Sequence, residues 1–162
     1  MARGNIEVKK VDTVFEELDR LHQAIRARAY DLFRNGGTPW SSALRDWLTA
    51  ERELVGKPPI ELRQADNHFE LFAALPGVDA KHLDVQITPE DLLIKADAPH
   101  EHAAEATVHL CEFGPGQIFR SIHFPEKIDP ESAKAELKDG MLHVTAAIAK
   151  IVEPKKVDVK AA

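Results

Sequence analysis

The side chains best suited to chemistry in this sequence are eight histidines and a single cysteine. His100 and His102 fall on one side of a segment that we expect to be extended, and His109 and Cys111 follow soon after. Imidazole and thiolate groups are common ligands of zinc and copper. The spacing matches no standard zinc pattern, however, and short polar loops often carry solvated histidines. We therefore predict no metal site and no cofactor, and keep a metal-dependent enzyme only as an alternative.

Cys111 is also the candidate for a thiol nucleophile, and it would need a neighbouring base to become a thiolate. His109 is close in sequence, but such a neighbour occurs by chance more often than as a catalytic partner. Glu90, Asp91 and Asp97 belong to predicted turns and strand ends, where solvated carboxylates are usual. The sequence has no glycine-rich phosphate loop that would indicate ATP hydrolysis. We therefore predict that the protein is not an enzyme.

The composition predicts a folded protein of one or two small units. Of the 162 residues, 44% are hydrophobic and 30% are charged, which is enough apolar material for a core. The formal net charge is −6 without a long basic run, so nucleic acid is an unsuitable main ligand. The N-terminal stretch lacks the apolar part of a secretory signal, no window approaches a membrane span, and a lone cysteine suits a reducing compartment. We expect a cytoplasmic protein that binds neither nucleic acid nor membrane.

Residues 1–57 are predicted to form an N-terminal helical hairpin. Residues 13–33 carry apolar side chains at helical spacing, namely Val14, Leu18, Leu21, Ile25, Ala29 and Leu32. An Asn-Gly-Gly sequence then supplies a stop signal. A second helix is expected between residues 40 and 55, and it ends before Pro58 because proline cannot continue the hydrogen-bond ladder.

Residues 58–149 are predicted to form an immunoglobulin-like antiparallel β-sandwich. Turn signals such as Pro76-Gly77 separate short runs in which apolar residues alternate. Seven or eight short strands of this kind are typical of a sandwich, and the helix–strand alternation of a parallel sheet is missing. Residues 150–162 are charged and are expected to form a flexible C-terminal tail. The alternating runs are 69–75, 83–87, 92–96, 108–110, 118–124, 133–137 and 142–148.

The segment 135–144 resembles the signature of the small heat-shock protein family, whose sandwich is the α-crystallin domain. In that family an alanine, a glycine five residues later and a leucine two residues beyond mark the last hairpin, and here they are Ala135, Gly140 and Leu142. The Asp-Gly sequence favours a tight hairpin turn, and Leu137 and Leu142 are expected to pack inward from its two arms. Three further segments resemble family motifs in the same order, at 69–83, 118–125 and 153–160.

The resemblance implies a mainly β protein that acts as an ATP-independent holdase, a chaperone that binds partly unfolded client proteins and prevents their aggregation. It also implies a homo-oligomer built from dimers. The helical hairpin resembles a small bacterial helical domain of unknown function, which implies no activity. The alternative is a co-chaperone-like binding module on the same sandwich that does not form oligomers.

Val157 and Val159 form the first candidate interaction site. They lie on one side of an extended tail segment and resemble the Ile-x-Ile or Val-x-Val motif of the family. The resemblance implies that this pair docks in a groove at the edge of a neighbouring subunit's sandwich, between the third and seventh alternating runs. The alternative is a solvated tail whose valines contact nothing.

Arg120 is the second candidate, because it shares the apolar phase of its strand with Ile118 and Ile122. A charge in that position must be paired or lie at an interface, since an unpaired buried charge is very costly. We interpret it as part of a salt bridge across a dimer interface. The alternative is a charge at an exposed strand edge.

The aromatic residues of the helical hairpin are the third candidate. Large apolar side chains on a helical segment can offer a surface that binds unfolded clients. They can equally be the core of the hairpin itself, and the sequence leaves both interpretations open. The set consists of Phe15, Tyr30, Phe33, Trp40 and Trp47.

Overall fold

The computed structural model describes residues 4–36, 43–114 and 116–150. Two helices, α1 (Phe15–Gly36) and α2 (Ala43–Leu54), precede most of the strands, and neither is long and apolar enough to cross a membrane. The strands of the described residues are β1 (Gly4–Ile6), β2 (Val8–Lys10), β3 (Ile60–Ala65), β4 (His68–Ala74), β5 (Leu83–Ile87), β6 (Asp91–Asp97), β7 (Gln117–His123), β8 (Lys134–Lys138) and β9 (Met141–Ala147).

These strands form two sheets that share one core. One sheet has the order β1-β8-β9-β4-β3, and the other has the order β2-β5-β6-β7. Neighbouring strands are antiparallel, except that β2 runs parallel to β5. The predicted mainly β sandwich with a helical N-terminal part is confirmed. The parallel pair at one edge is a feature that the sequence did not indicate.

Alternation along the strands creates the core between the sheets. In β4, Phe69, Leu71 and Ala73 are buried, while the residues between them are half-buried. Moving one Leu or Ile side chain from water into this core is worth roughly 1.5–3 kcal/mol, so burial of the core side chains dominates the stability of the sandwich. Its largest fully buried side chains include Leu71, Leu75, Ile87, Leu92, Ile94 and Leu142.

The two helices lie against the outer face of the four-stranded sheet. Ile118 packs against the core between the sheets, so the next residue, Phe119, points to the opposite face. Phe119 packs there against a helical cluster formed by Ile25, Ala50 and Val55. An ion pair between Lys95 Nζ and Glu17 Oε2, 2.8 Å apart, also joins α1 to β6.

The run at 108–110 does not form the strand that its alternation predicted. Residues 98–114 contain no strand, and Leu110 is 79% exposed. A hydrogen bond from Ala98 N to Gly116 O, 2.6 Å long, closes this irregular segment at its base. The prediction of a strand is wrong here because two alternating apolar residues satisfy the pattern without having a partner strand in the described part of the chain.

Residues 4–10 form two short strands in a region predicted to belong to the helical hairpin. β1 pairs with β8 and β2 pairs with β5, so this segment belongs to the edges of the sandwich. Each strand has three residues, and β2 contains two lysines, so neither carries a strong local strand signal.

We predict that Gly140→Ala and Gly77→Ala destabilise the protein by similar amounts. Both glycines have a positive φ, 74° at Gly140 and 78° at Gly77, which costs an alanine about 1 kcal/mol. A Cβ at Gly77 would meet nothing within 4 Å, and a Cβ at Gly140 would make an ordinary van der Waals contact with Pro76 Cα at 3.4 Å, so neither adds a clash. Urea unfolding at one protein concentration should therefore show a loss of about 1 kcal/mol for each variant. No loss of stability in either variant would contradict the left-handed backbone at that turn.

Candidate functional site: a groove between two sheet edges

Two strand edges of the sandwich meet on one side of the molecule. When residues 4–10 are set aside, β8 is the outer strand of one sheet and β5 is the outer strand of the other. β1 pairs with β8, β2 pairs with β5, and only Glu7 separates β1 from β2. Ile6 pairs with β8 and Val8 pairs with β5, and the two residue steps between them span about 7 Å at most. The outer edges of β5 and β8 must therefore lie side by side. We call the space along these two edges the edge groove.

The strand order corrects the prediction of which strands border a groove at the edge of the sandwich. The third and seventh alternating runs, 92–96 and 142–148, correspond to β6 and β9. β6 lies between β5 and β7, and β9 lies between β8 and β4, so neither strand has a free edge. The order of strands along the chain does not give their order in the sheets, and the edge strands here are the second and sixth runs.

Residues 4–10 occupy the edge groove. Ile6 lies opposite Ala135 of β8, is only 8% exposed and belongs to the core between the sheets. Val8 lies opposite Val85 of β5 and packs against the same core. Beyond the strand, Val11 N donates to Ile87 O at 3.0 Å. One short segment thus pairs with both sheets and buries side chains between them.

The hairpin signature forms one wall of the edge groove. Ala135 and Leu137 of β8 lie opposite Ile6 and Gly4, respectively. Because alanine is small, the strand edge leaves room for Ile6 to reach the core. Asp139-Gly140 makes the turn, and Leu142 of β9 lies opposite Leu137. The signature therefore shapes the edge groove as well as the last hairpin.

An ion pair holds the segment at its charged end. Lys9 Nζ lies 2.8 Å from Asp84 Oδ1, and Gln86 Nε2 donates to Asp84 Oδ2 at 2.9 Å. Burial acts to raise the pKa of Asp84, but contact with Lys9 and Gln86 outweighs it, so the pKa of Asp84 is lowered. The same contact raises the pKa of Lys9. A second pair joins Lys10 to Glu131 at the surface.

Arg120 lies in β7, the outer strand at the other side of the four-stranded sheet. Its side chain is half-buried, and its Nε atom is buried without a hydrogen-bond partner among the described residues. A buried donor of a charged group that lacks a partner costs about 1–3 kcal/mol or more. The guanidinium is therefore short of one acceptor.

Within the described residues, the helical aromatic side chains do not form one cluster. Phe15 is 73% exposed, and Tyr30 and Phe33 are also exposed on α1. Trp47 is half-buried, packs against the helical cluster and meets the ring of His22 edge-on at 5.0 Å. Trp40 lies outside the described residues, as do Val157 and Val159 of the tail.

The histidines and the cysteine of the irregular segment are partly brought together. One ligand atom each from His100, His102 and Cys111 lies within 4.8 Å of the others, and all three residues are exposed. His109 is not part of this group, although the sequence made it a candidate. The ring of His100 stacks on Phe113 at 4.0 Å. The imidazole and thiol donors are of types that zinc binds, but structural zinc sites use four protein ligands. This group offers three exposed side chains on a segment without regular structure, so it gives little support to a metal site.

Comparison with known proteins decides the family. The profile of the Hsp20/alpha crystallin family matches residues 61–160, which is more than half of the chain. The chain belongs to this family. A second profile, described as "Protein of unknown function (DUF2934)", matches residues 20–55, which cover most of α1 and all of α2. Both resemblances predicted from the sequence are confirmed.

Individual Hsp20 relatives support the assignment. The chain is 26% identical over 144 residues to spore protein SP21 of Stigmatella aurantiaca, covering 88% of this chain and 82% of that protein. It is 27% identical over 123 residues to small heat shock protein C2 of Rickettsia felis, covering 75% of each. Among solved structures, heat shock protein 16.0 from Schizosaccharomyces pombe matches with a TM-score of 0.54 and 25% identity, over 65% of this chain and 99% of that one.

Membership of the Hsp20 family supports a chaperone role without enzymatic activity, as the sequence predicted. It also implies oligomeric assembly and the binding of client proteins. Sequence reasoning missed Ile6, Val8, Lys9 and Asp84, the residues that fill or hold the edge groove. The available signal was the alternation of Ile6 and Val8, which has the spacing of the two tail valines.

We predict that the contribution of Asp84 to stability disappears in acid. Because its pKa is lowered in the folded protein, its stabilising effect is present above the ordinary aspartate value of about 3.9 and is lost as the pH falls through the lower value. Asp84→Asn should therefore cost about 0.5–1 kcal/mol at pH 7 and close to nothing near pH 2, as measured by urea unfolding. For comparison, Glu61→Gln removes a fully exposed carboxylate outside the groove, whose pKa is also lowered by its hydrogen bond with Arg63, so its cost should be smaller than that of Asp84→Asn and should likewise disappear in acid. A difference between wild type and Asp84→Asn that persists unchanged in acid would contradict this assignment.

Proposed function

We propose that this Hsp20 family member is an ATP-independent holdase that binds partly unfolded proteins and prevents their aggregation. The observation that carries the proposal is the edge groove, where an extended segment pairs with two strands and buries alternate side chains in the core. Partly unfolded proteins expose extended apolar segments that can pair with strand edges in the same way. Such binding is reversible and requires no nucleotide.

The helices offer a second surface to clients in this proposal. Tyr30 and Phe33 are three residues apart on α1, so they share a face, and both are exposed. Leu44 and Leu48 are four residues apart on α2 and are also exposed. Exposed apolar groups of this kind are typical of surfaces that bind other proteins.

Assembly of the homo-oligomer uses the tail and Arg120 in this proposal. Val157 and Val159 of one copy dock in the edge groove of another, where burial of two valines is worth roughly 3 kcal/mol before the cost of ordering the tail. Several such weak contacts in one assembly add up. Arg120 lies at the interface of the dimers from which the oligomer is built, and its place in β7, the outer strand of the four-stranded sheet, supports a salt bridge with a second copy.

We place the protein in the cytoplasm, with client proteins and further copies of itself as its partners. The exposed, unpaired Cys111 supports a reducing compartment. The net charge of −6 supports neither nucleic acid nor an anionic membrane as a ligand.

A co-chaperone-like module that does not form oligomers is the second candidate function. The observation that favours it is the occupied edge groove, because residues 4–10 of the same chain already cover both strand edges. A protein whose edges are permanently covered in this way has no site for the tail of a neighbour.

We predict that the protein suppresses the heat aggregation of a model client without ATP, at near-stoichiometric ratios, in a light-scattering assay. If α1 contributes to client binding, the double variant Tyr30→Ser, Phe33→Ser should require roughly fivefold more protein for the same suppression, since about 1 kcal/mol of contact is lost. The matched control is Val108→Ser, Leu110→Ser, which removes two exposed apolar side chains from the irregular segment. Absence of any suppression by the wild type would contradict the holdase proposal.

We predict that removal of residues 151–162 converts a large assembly into dimers, because the docking valines are lost. Size-exclusion chromatography with light scattering measures the change. Val157→Ser, Val159→Ser should have the same effect, whereas Lys155→Ser, Lys156→Ser should leave the assembly intact. A protein that remains an unchanged monomer in every case would favour the co-chaperone-like alternative.

A further inference from the structure

The chain contains the same four-residue pattern near both of its ends. Ile6-Glu7-Val8-Lys9 has a β-branched residue, an acid, a valine and a lysine in that order. Val157-Asp158-Val159-Lys160 has the same types of residue in the same order. The pattern near the N-terminus lies in the edge groove, which shows what each of its positions contacts there.

Three of the four positions make contacts that the tail pattern can reproduce. The first, Ile6, reaches the core opposite Ala135. The third, Val8, packs on the core opposite Val85. The fourth, Lys9, pairs with Asp84 at 2.8 Å. The acid at the second position, Glu7, belongs to neither strand and lies where the segment crosses from one sheet to the other. Since Val157, Val159 and Lys160 have matching chemistry and spacing, the tail suits the same subsites.

We propose that the edge groove is one binding site with two competing occupants: residues 4–10 of the same chain, which we call the N-terminal cap, and residues 157–160 of another copy. This inference rests on the proposed docking of the tail and adds its regulation. Occupation by the N-terminal cap closes the site, and occupation by a neighbouring tail links two copies.

The geometry makes the two occupants mutually exclusive. The outer edge of a strand offers one row of backbone N–H and C=O groups, so it can pair with one further strand. β1 uses that row on β8, and β2 uses the row on β5. Ile6 also fills the space in front of Ala135. A tail cannot enter until the N-terminal cap has left both strands.

The N-terminal cap is held close to the groove by its attachment to α1. Only residues 11–14 separate β2 from α1, and Val14 at the end of this connection is buried. The ion pair between Glu17 and Lys95 anchors the start of α1 on β6. A short connection to an anchored helix gives the N-terminal cap a high effective concentration at the groove. Its two three-residue strands are short enough to open and close reversibly.

The test measures binding of a fluorescently labelled synthetic peptide of residues 153–162 by fluorescence anisotropy. The host is the chain without residues 151–162, so that its own tails do not compete. Ile6→Gly, Val8→Gly weakens the N-terminal cap and should lower the Kd of the peptide at least about tenfold. Val108→Gly, Leu110→Gly removes two apolar side chains at the same spacing from outside the groove and should leave the Kd unchanged.

A reversible lock tests the same competition in a chain with an unaltered core. Asn5 and Glu136 are direct partners in the antiparallel pair of β1 and β8, whose Cα atoms lie about 4.5–5.5 Å apart, within reach of a disulfide. Asn5→Cys, Glu136→Cys in a Cys111→Ser background should lose peptide binding when oxidised and regain it when reduced. Because one preparation supplies both states, a folding defect cannot produce the switch.

The outcomes distinguish this inference from the proposal on which it rests. Equal, measurable Kd values with and without the weakened N-terminal cap, and in both states of the lock, would overturn the competition but leave tail docking in place. Failure of the peptide to bind any host would overturn tail docking and the competition with it. A scrambled peptide of the same composition that binds equally well would overturn the specific match between the two patterns.

Discussion

The outer strand of a β-sheet has backbone N–H and C=O groups along one side that find no partner within the sheet. Here two such edges, on β5 and β8, lie next to each other with the apolar core directly behind them. A segment that enters between them pairs its backbone and buries its alternate side chains in one step. Residues 4–10 do this, and Ile6 becomes part of the core. The need to cover these two edges is the constraint on which the proposed assembly, client binding and regulation all depend.

This constraint links the proposed activities to a single equilibrium. A strand edge accepts one partner at a time, so the N-terminal cap, a neighbouring tail and a client segment cannot share it. In the proposed equilibrium each occupant is short and buries only a few side chains, so each would bind weakly and exchange. A shift among such weakly bound states would change how much surface is open to clients, and it would need neither ATP nor a catalytic residue. That accords with a family of non-enzymatic chaperones.

The helical part is connected to the groove through its position on the sandwich. Phe119 and Lys95 attach the helices to the outer face of the four-stranded sheet. This attachment fixes the position of the first turn of α1 on the sandwich. Because residues 4–10 precede that turn closely in the chain, it also limits which strand edges they can reach. The helices thus place the N-terminal cap at the groove while presenting Tyr30 and Phe33 to the solvent.

Apart from the run 108–110, the alternating runs from residue 60 onward were enough to indicate which residues face the core, because alternation along a strand is a local property that a single run such as 69–75 displays. The sequence by itself also determined the turn at Asp139-Gly140 and, through the hairpin signature together with three further segments in family order, the family. Only the tertiary structure decided that the second and sixth alternating runs are the edge strands, that 108–110 has no partner, and that residues 4–10 complete both sheets. Strand order and edge pairing depend on contacts between residues far apart in the chain, and no local pattern of residue types contains that information.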